Sequence, residues 1–155
     1  MSNYITTYTR RHFDPVNPEP ADMDIKDIAH ALSKEAAAKG YADRLVLAAL
    51  LHDASECYMS DVPRPLKQNM KQYKEQENHL LDVLYTKFLG TPLSEEEEKL
   101  IKEIDNALLW YDLKYLLDEE LEERQPKLHV EPDYTVRAFS EVEKEYLEIF
   151  KRYKI

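Results

Sequence analysis

The stretch LLHDASECYMSDVPRP, Leu50 to Pro65, ends an apolar run with His52, Asp53, Glu56 and Asp61 in quick succession. A neutral imidazole with carboxylates is a ligand set for a divalent metal such as Mn, Co, Fe, Ni or Zn, while Mg favours oxygen alone. On a helix, His52 and Glu56 share one face, with Asp53 about 100° around it. His52 and Asp53 can then reach an ion held between this helix and its neighbours. A bound ion also needs a base that orients water and an acid that protonates a leaving group. Glu56 and Asp61 suit those tasks, and two prolines stiffen the loop that carries Asp61. The plainer alternatives are a solvent-facing Glu56 and an Asp61 that caps a turn.

A further carboxylate stands where an apolar side chain is expected. Asp105 lies in IKEIDNALLW, four residues from Ile101 and Leu109. An ionised carboxylate beside a core-facing stripe is costly without a compensating cation. Either Asp105 is a metal ligand, or it sits at the edge of the stripe and meets a lysine or a helix N-terminus.

These groups must be positioned by helices. Residues 1–23 form an irregular arm with room for a short strand in Tyr4–Thr9. Asp24 is a cap for a helix running to about Lys39, Gly40 a stop and Asp43 a second cap. LVLAALL, Leu45 to Leu51, is apolar on every face, and its Ala-Leu content predicts a central buried helix. Helices follow over about Tyr73–Phe88 and from the capping box Ser94/Glu97 to about Leu117 or Leu121. A last helix covers about Val136–Arg152. The expected fold is an all-α, single-domain bundle of five or six helices over residues 1–155.

Composition narrows the function. With 21 basic and 31 acidic side chains the formal net charge is −10, which repels a phosphate backbone and argues against binding a nucleic-acid polymer. Two glycines leave no Gly-rich nucleotide cradle, and the lone Cys57 rules out an internal disulfide or a cysteine zinc cluster. No apolar run approaches the ~18 residues of a membrane span. The N-terminus does not read as a signal peptide, so the expected location is cytoplasmic.

Taken together, LAALLHDASECYMSDVPRPLK resembles the HD-domain metal-dependent phosphohydrolases, within them the 5′-deoxynucleotidase-like branch. That branch carries HDxxE, then an Asp in a Ser/Gly-Asp-hydrophobic-Pro-x-Pro loop, then a distant helical Asp. Here these read His52-Asp53-Ala-Ser-Glu56, Ser60-Asp61-Val-Pro-Arg-Pro-Leu-Lys67 and Glu103-Ile-Asp105. The resemblance implies one divalent metal on His52, Asp53 and Asp105, with Glu56 and Asp61 as the catalytic carboxylates. Arg64 and Lys67 are candidate contacts for a substrate phosphate, with a surface role as the alternative for Lys67. The implied substrate is a small nucleotide-like phosphate ester, foremost a nucleoside 5′-monophosphate. A homodimer is compatible with the same resemblance.

The pattern breaks at one place. Similar proteins have about twenty residues after IAHALS that hold a further metal-binding His and a phosphate-reading Arg. Here Ser33 runs directly into Lys34. His30 is the upstream substitute ligand, set against a reading as a packed helix histidine. His12, His79 and His129 read as structural or solvated, and Trp110-Tyr111 as core and rim. Two rivals follow: hydrolysis of nucleoside triphosphates or signalling nucleotides, and a degenerate HD domain that binds a nucleotide or protein without turnover.

Overall fold

The computed structural model describes residues 30–59, 62 and 64–154, together with three two-residue strands upstream. These are β1 (Ile5–Thr6), β2 (His12–Phe13) and β3 (Ile25–Lys26). The expected cap Asp24, the arm outside the strands, and Ser60, Asp61 and Pro63 lie outside the described residues, as do the side chains of Arg64 and Pro65.

The fold is all-α. Among the described residues, five helices of eight residues or more carry it: α1 (Ala31–Ala38), α2 (Asp43–Leu50), α5 (Lys71–Leu89), α6 (Glu95–Tyr115) and α7 (Phe139–Tyr153). Two single turns, α3 (Glu56–Met59) and α4 (Arg64–Lys67), lie between α2 and α5. The strands pair only two by two. Antiparallel β1 and β2 match Ile5 with Phe13, while β3 pairs antiparallel with β4 (Val136–Arg137), matching Ile25 with Arg137.

Helix α2 is the centre. Val46 to Leu51 are all buried, so the expectation of a helix apolar on every face holds. It packs against α1, α5, α6 and α7, and its small residues Ala48 and Ala49 let neighbouring backbones come close. The core adds Leu32 and Ala36 of α1, Tyr85 and Leu89 of α5, and Ile101, Ile104 and Leu108 of α6. Helix α7 closes the bundle with Val142, Tyr146, Ile149 and Phe150, the last meeting Phe88 edge-to-face at 5.3 Å between centroids.

Local signals set most boundaries. At the end of α1, Gly40 (φ +75°) takes the left-handed conformation, Tyr41 N–H donates to Ala36 O at 3.1 Å and Gly40 N–H to Ala37 O at 2.9 Å. That pair of bonds is a Schellman stop. Ser94 Oγ accepts from Glu97 N–H at 3.3 Å and Ser94 N–H donates to Glu97 Oε2 at 2.9 Å, completing the expected capping box.

Three boundaries differ from expectation. Asp43 is the first residue of α2 rather than its cap, which is Ala42. The helix expected from Asp24 begins at Ala31, with Ile25–Lys26 drawn into β3. Its strand partner takes Val136 and Arg137, so α7 starts at Phe139. Backbone pairing between distant segments overrode local helical preference there.

A clasp missed in the sequence fixes the corner between α5 and α6. Arg44 of α2 donates through Nη1 to Leu89 O at 2.9 Å and through Nη2 to Pro92 O at 2.9 Å, while Nε meets Glu97 Oε1 at 2.8 Å. One guanidinium thereby satisfies carbonyls at the C-terminal end of α5 and pairs with the first turn of α6. Among the described residues, no helix is long and apolar enough to cross a membrane.

Candidate functional site

Helix α2 stops at Leu50, and residues 51–55 continue as tight turns. Ala54 N–H donates to Leu51 O at 3.0 Å and Glu56 N–H to Asp53 O at 3.0 Å. Bonds of this i to i+3 type advance the chain by about 120° per residue instead of 100°. His52 and Glu56 therefore do not share the face expected of one continuous helix. They line different cavities.

The first cavity, about 400 Å³, lies between the end of α2, the start of α1, α6 and α7. Asp53 and Glu56 reach it from the turn, and Asp105 from α6, so three of the candidate residues meet across some fifty positions of sequence. Asp112 and Asp133 line it as well. Among the described residues five carboxylates thus face one cavity and no Lys, Arg or His lines it. Leu32, Leu50, Leu108 and Tyr146 form its apolar wall. Tyr146 donates its hydroxyl to Leu50 O at 3.3 Å, and burial pushes its pKa up to about 12.

The neighbours of these carboxylates are specific. Asp105 Oδ2 lies 2.8 Å from Lys102 Nζ, and the Asp105 side chain keeps 21% of its surface exposed. This is the lysine pairing that the plainer reading allowed. Asp53 is 65% exposed, with Oδ1 at 3.7 Å from His52 Nε2. Asp112 accepts from Tyr134 Oη at 2.9 Å, and burial, with the charge and hydrogen bond of Asp112 adding to it, raises the tyrosine pKa. Lys67 is held by Glu77 at 2.8 Å and stands 3.8 Å from Glu56 Oε1. Burial works to lower the Lys67 pKa, but the hydrogen bond to Glu77 and the charges of Glu77 and Glu56 outweigh it, so the net shift is upward. Lys67 does not line the first cavity.

The second cavity, about 610 Å³, opens on the other side of the same turn, between α5 and α6. His52 and Lys102 line it, back to back with Asp53 and Asp105 in the first. The expected metal ligands His52, Asp53 and Asp105 are therefore close but do not converge. No three His, Cys, Asp or Glu side chains come together to hold a metal ion among the described residues. The residues present supply carboxylates to the first cavity without closing a coordination sphere.

His30 is fully buried at the start of α1, its ring 5.8 Å from that of Tyr146 and its Nδ1 3.8 Å from Glu145 Oε2. It does not line the first cavity, which fits a packed histidine. Trp110 and Tyr111 tie down the following loop, donating to Glu123 O at 3.2 Å and Pro126 O at 2.8 Å.

The sequence reading overlooked Glu35. Its carboxylate is 1% exposed and accepts His129 N–H at 2.8 Å and Val130 N–H at 3.0 Å, with His129 Nδ1 at 2.8 Å from the other oxygen. His129 is structural, as expected, and its partner holds the loop that delivers Pro132 and Asp133 to the cavity rim. A lone Glu between Lys34 and Ala36 carries no local mark of burial.

The chain is similar to an uncharacterized protein, YfdR, of Escherichia coli strain K12, at 33% identity over 110 residues. The match covers 58% of this chain, and the chain spans 60% of that relative's length. Since 58% of 155 residues is about 90, about 20 of the 110 aligned positions have no residue of this chain opposite them. No family model and no solved structure matches.

Proposed function

We propose that this chain is a metal-dependent phosphohydrolase of the HD type, releasing phosphate from a small phosphate ester, foremost a nucleoside 5′-monophosphate. The observation that carries the reading is the meeting of Asp53, Glu56 and Asp105 on one cavity, as the motif resemblance requires. Five carboxylates line this cavity and, among the described residues, no Lys, Arg or His does, which is an acidic surround for a phosphate dianion. A divalent ion reverses that local potential, and when bound it would bind the phosphate and activate water. His52, Asp53 and Asp105 would hold it once His52 turns from the neighbouring cavity.

The chain's own groups then divide the remaining work. Glu56 orients the attacking water from the turn, and Asp61 protonates the departing oxygen; those two roles are exchangeable. The apolar wall of Leu32, Leu50 and Leu108 limits water around the reacting group. Positioning and charge neutralisation dominate phosphoryl transfer, so a shaped acidic cavity suits it. The same reading places the protein in the cytoplasm, alone or as a homodimer.

The test is phosphate release from nucleoside monophosphates by protein supplied in turn with Mn, Co, Ni, Zn, Fe and Mg. Turnover that falls at least a hundredfold in both Asp53→Ala and Asp105→Ala supports the reading. Activity indifferent to either substitution refutes it.

A second reading has its own support. The ligands do not converge, and the shortfall of about 20 aligned positions equals the length expected after Ser33. A domain that binds a nucleotide without turning it over would show calorimetric binding and no phosphate release with any of these metals.

A further inference from the structure

The second cavity has features that the proposed hydrolysis does not use. It is a groove between two matched helical faces. From α5 come Leu81, Asp82 and Tyr85, and from α6 come Glu98 and Ile101, both sets at the three- and four-residue spacing of one face. Leu93 closes the apolar floor.

Tyr85 is the telling residue. It is 4% exposed, yet its hydroxyl makes no hydrogen bond to any described residue. Its oxygen is not fully enclosed, and the residue lines the cavity. Burial raises its pKa, and the negative charges of Asp53, Glu98 and Asp82 raise it further, so the phenol stays neutral in a negative potential. Such an oxygen is placed to accept from a cationic donor.

The charges around it favour the same ligand. Asp82, Glu95 and Glu98 face the groove, against Lys99 and Lys102. Lys102 is engaged by Asp105 at 2.8 Å, and His52 leans on Asp53 at 3.7 Å. The remaining balance is acidic. A compact metal ion is disfavoured because no three donor side chains converge among the described residues. A longer cation can instead lay methylenes on Leu81, Leu93 and Ile101 while its ammonium ends meet separated carboxylates.

We propose that the groove between α5 and α6 binds an aliphatic diamine or polyamine, with Tyr85 and the carboxylates of Asp82 and Glu98 accepting from its ammonium groups. This stands independently of phosphohydrolase activity, and binding is measured without substrate or metal.

The experiment is calorimetric titration of the full chain with putrescine and spermidine at about 0.15 M salt, where diffuse attraction to the acidic surface is screened beyond about 8 Å. One saturable equivalent is expected. Glu98→Gln should weaken it about tenfold and Tyr85→Phe several-fold, with Glu141→Gln, an exposed site on α7, unchanged. Glu98 lies on the surface of α6, so its variant carries the test if Tyr85→Phe does not fold. Absence of saturable binding overturns the proposal, as does equal weakening by Glu141→Gln, which would reveal only general attraction to a polyanion. Unchanged affinity in Glu98→Gln overturns it too.

Discussion

Lys102 Nζ sits 2.8 Å from Asp105 Oδ2, three residues further along α6, and this pair divides the two cavities. Lys102 is 53% exposed. An exposed pair at this spacing contributes only about 0.3–0.5 kcal/mol to stability. Its stronger effect falls on any cation that competes for the same carboxylate. Lys102→Met should therefore leave the melting temperature almost unchanged and tighten Mn²⁺ binding several-fold, as read by paramagnetic titration. Unchanged or weaker binding would remove Asp105 from the ligand set.

The buried carboxylate of Glu35 predicts a stability difference between two variants. Glu35→Ala removes the acceptor of two backbone N–H groups and one ring nitrogen. Hydrogen bonds to charged groups contribute about 1.5–3 kcal/mol each, not additively, so a loss of about 3 kcal/mol is expected in urea denaturation. His129→Ala leaves both backbone bonds intact and should cost about 1 kcal/mol. Equal losses would contradict the account.

Acid should loosen the clasp at Arg44. The hydrogen bond from Arg44 holds the Glu97 pKa below its ordinary value of 4.5, with partial burial opposing. A depressed folded-state pKa gives stability that is present above 4.5 and lost as pH falls through the folded value. Equilibrium unfolding between pH 6 and 2 should show this slope, and Glu97→Gln should reduce it. An unaltered slope would mean that Glu97 does not couple to folding.

Lys67 gives the opposite sign. Its folded-state pKa is raised above 10.5, burial being outweighed by Glu77 and Glu56, so its contribution is complete below 10.5 and fades as pH climbs through the folded value. Lys67→Met should flatten the alkaline limb of the stability profile. Because Lys67 does not line the first cavity but stands 3.8 Å from Glu56, the variant should leave KM for a monophosphate within about twofold while lowering kcat through Glu56. A large rise in KM with kcat intact would restore a direct phosphate contact.

Much of this architecture was legible because its causes are local. Leu45–Leu51 is apolar all round, Gly40 and Gly90 mark helix ends, and Ser94 with Glu97 spells its own cap. The motif resemblance had grouped Asp53, Glu56 and Asp105 at one site and they line one cavity, whereas helix spacing had paired His52 with Glu56 and set Asp53 apart. What failed depended on distant partners. Val136 entered a strand because Ile25–Lys26 lies beside it, and Arg44 found carbonyls at residues 89 and 92. His52 turned aside because the chain tightens after Leu50, a change of about 20° per residue that no residue type announces.

The Glu35–His129 link spans 94 positions. During synthesis α1 emerges before the groups that satisfy its buried charge, which arrive only with residues 129 and 130. Until then Glu35 must stay hydrated, and α1 cannot seat fully on α2. Docking of the first helix is therefore a late event in assembly, and a nascent chain paused before residue 129 presents an open, unfinished seam.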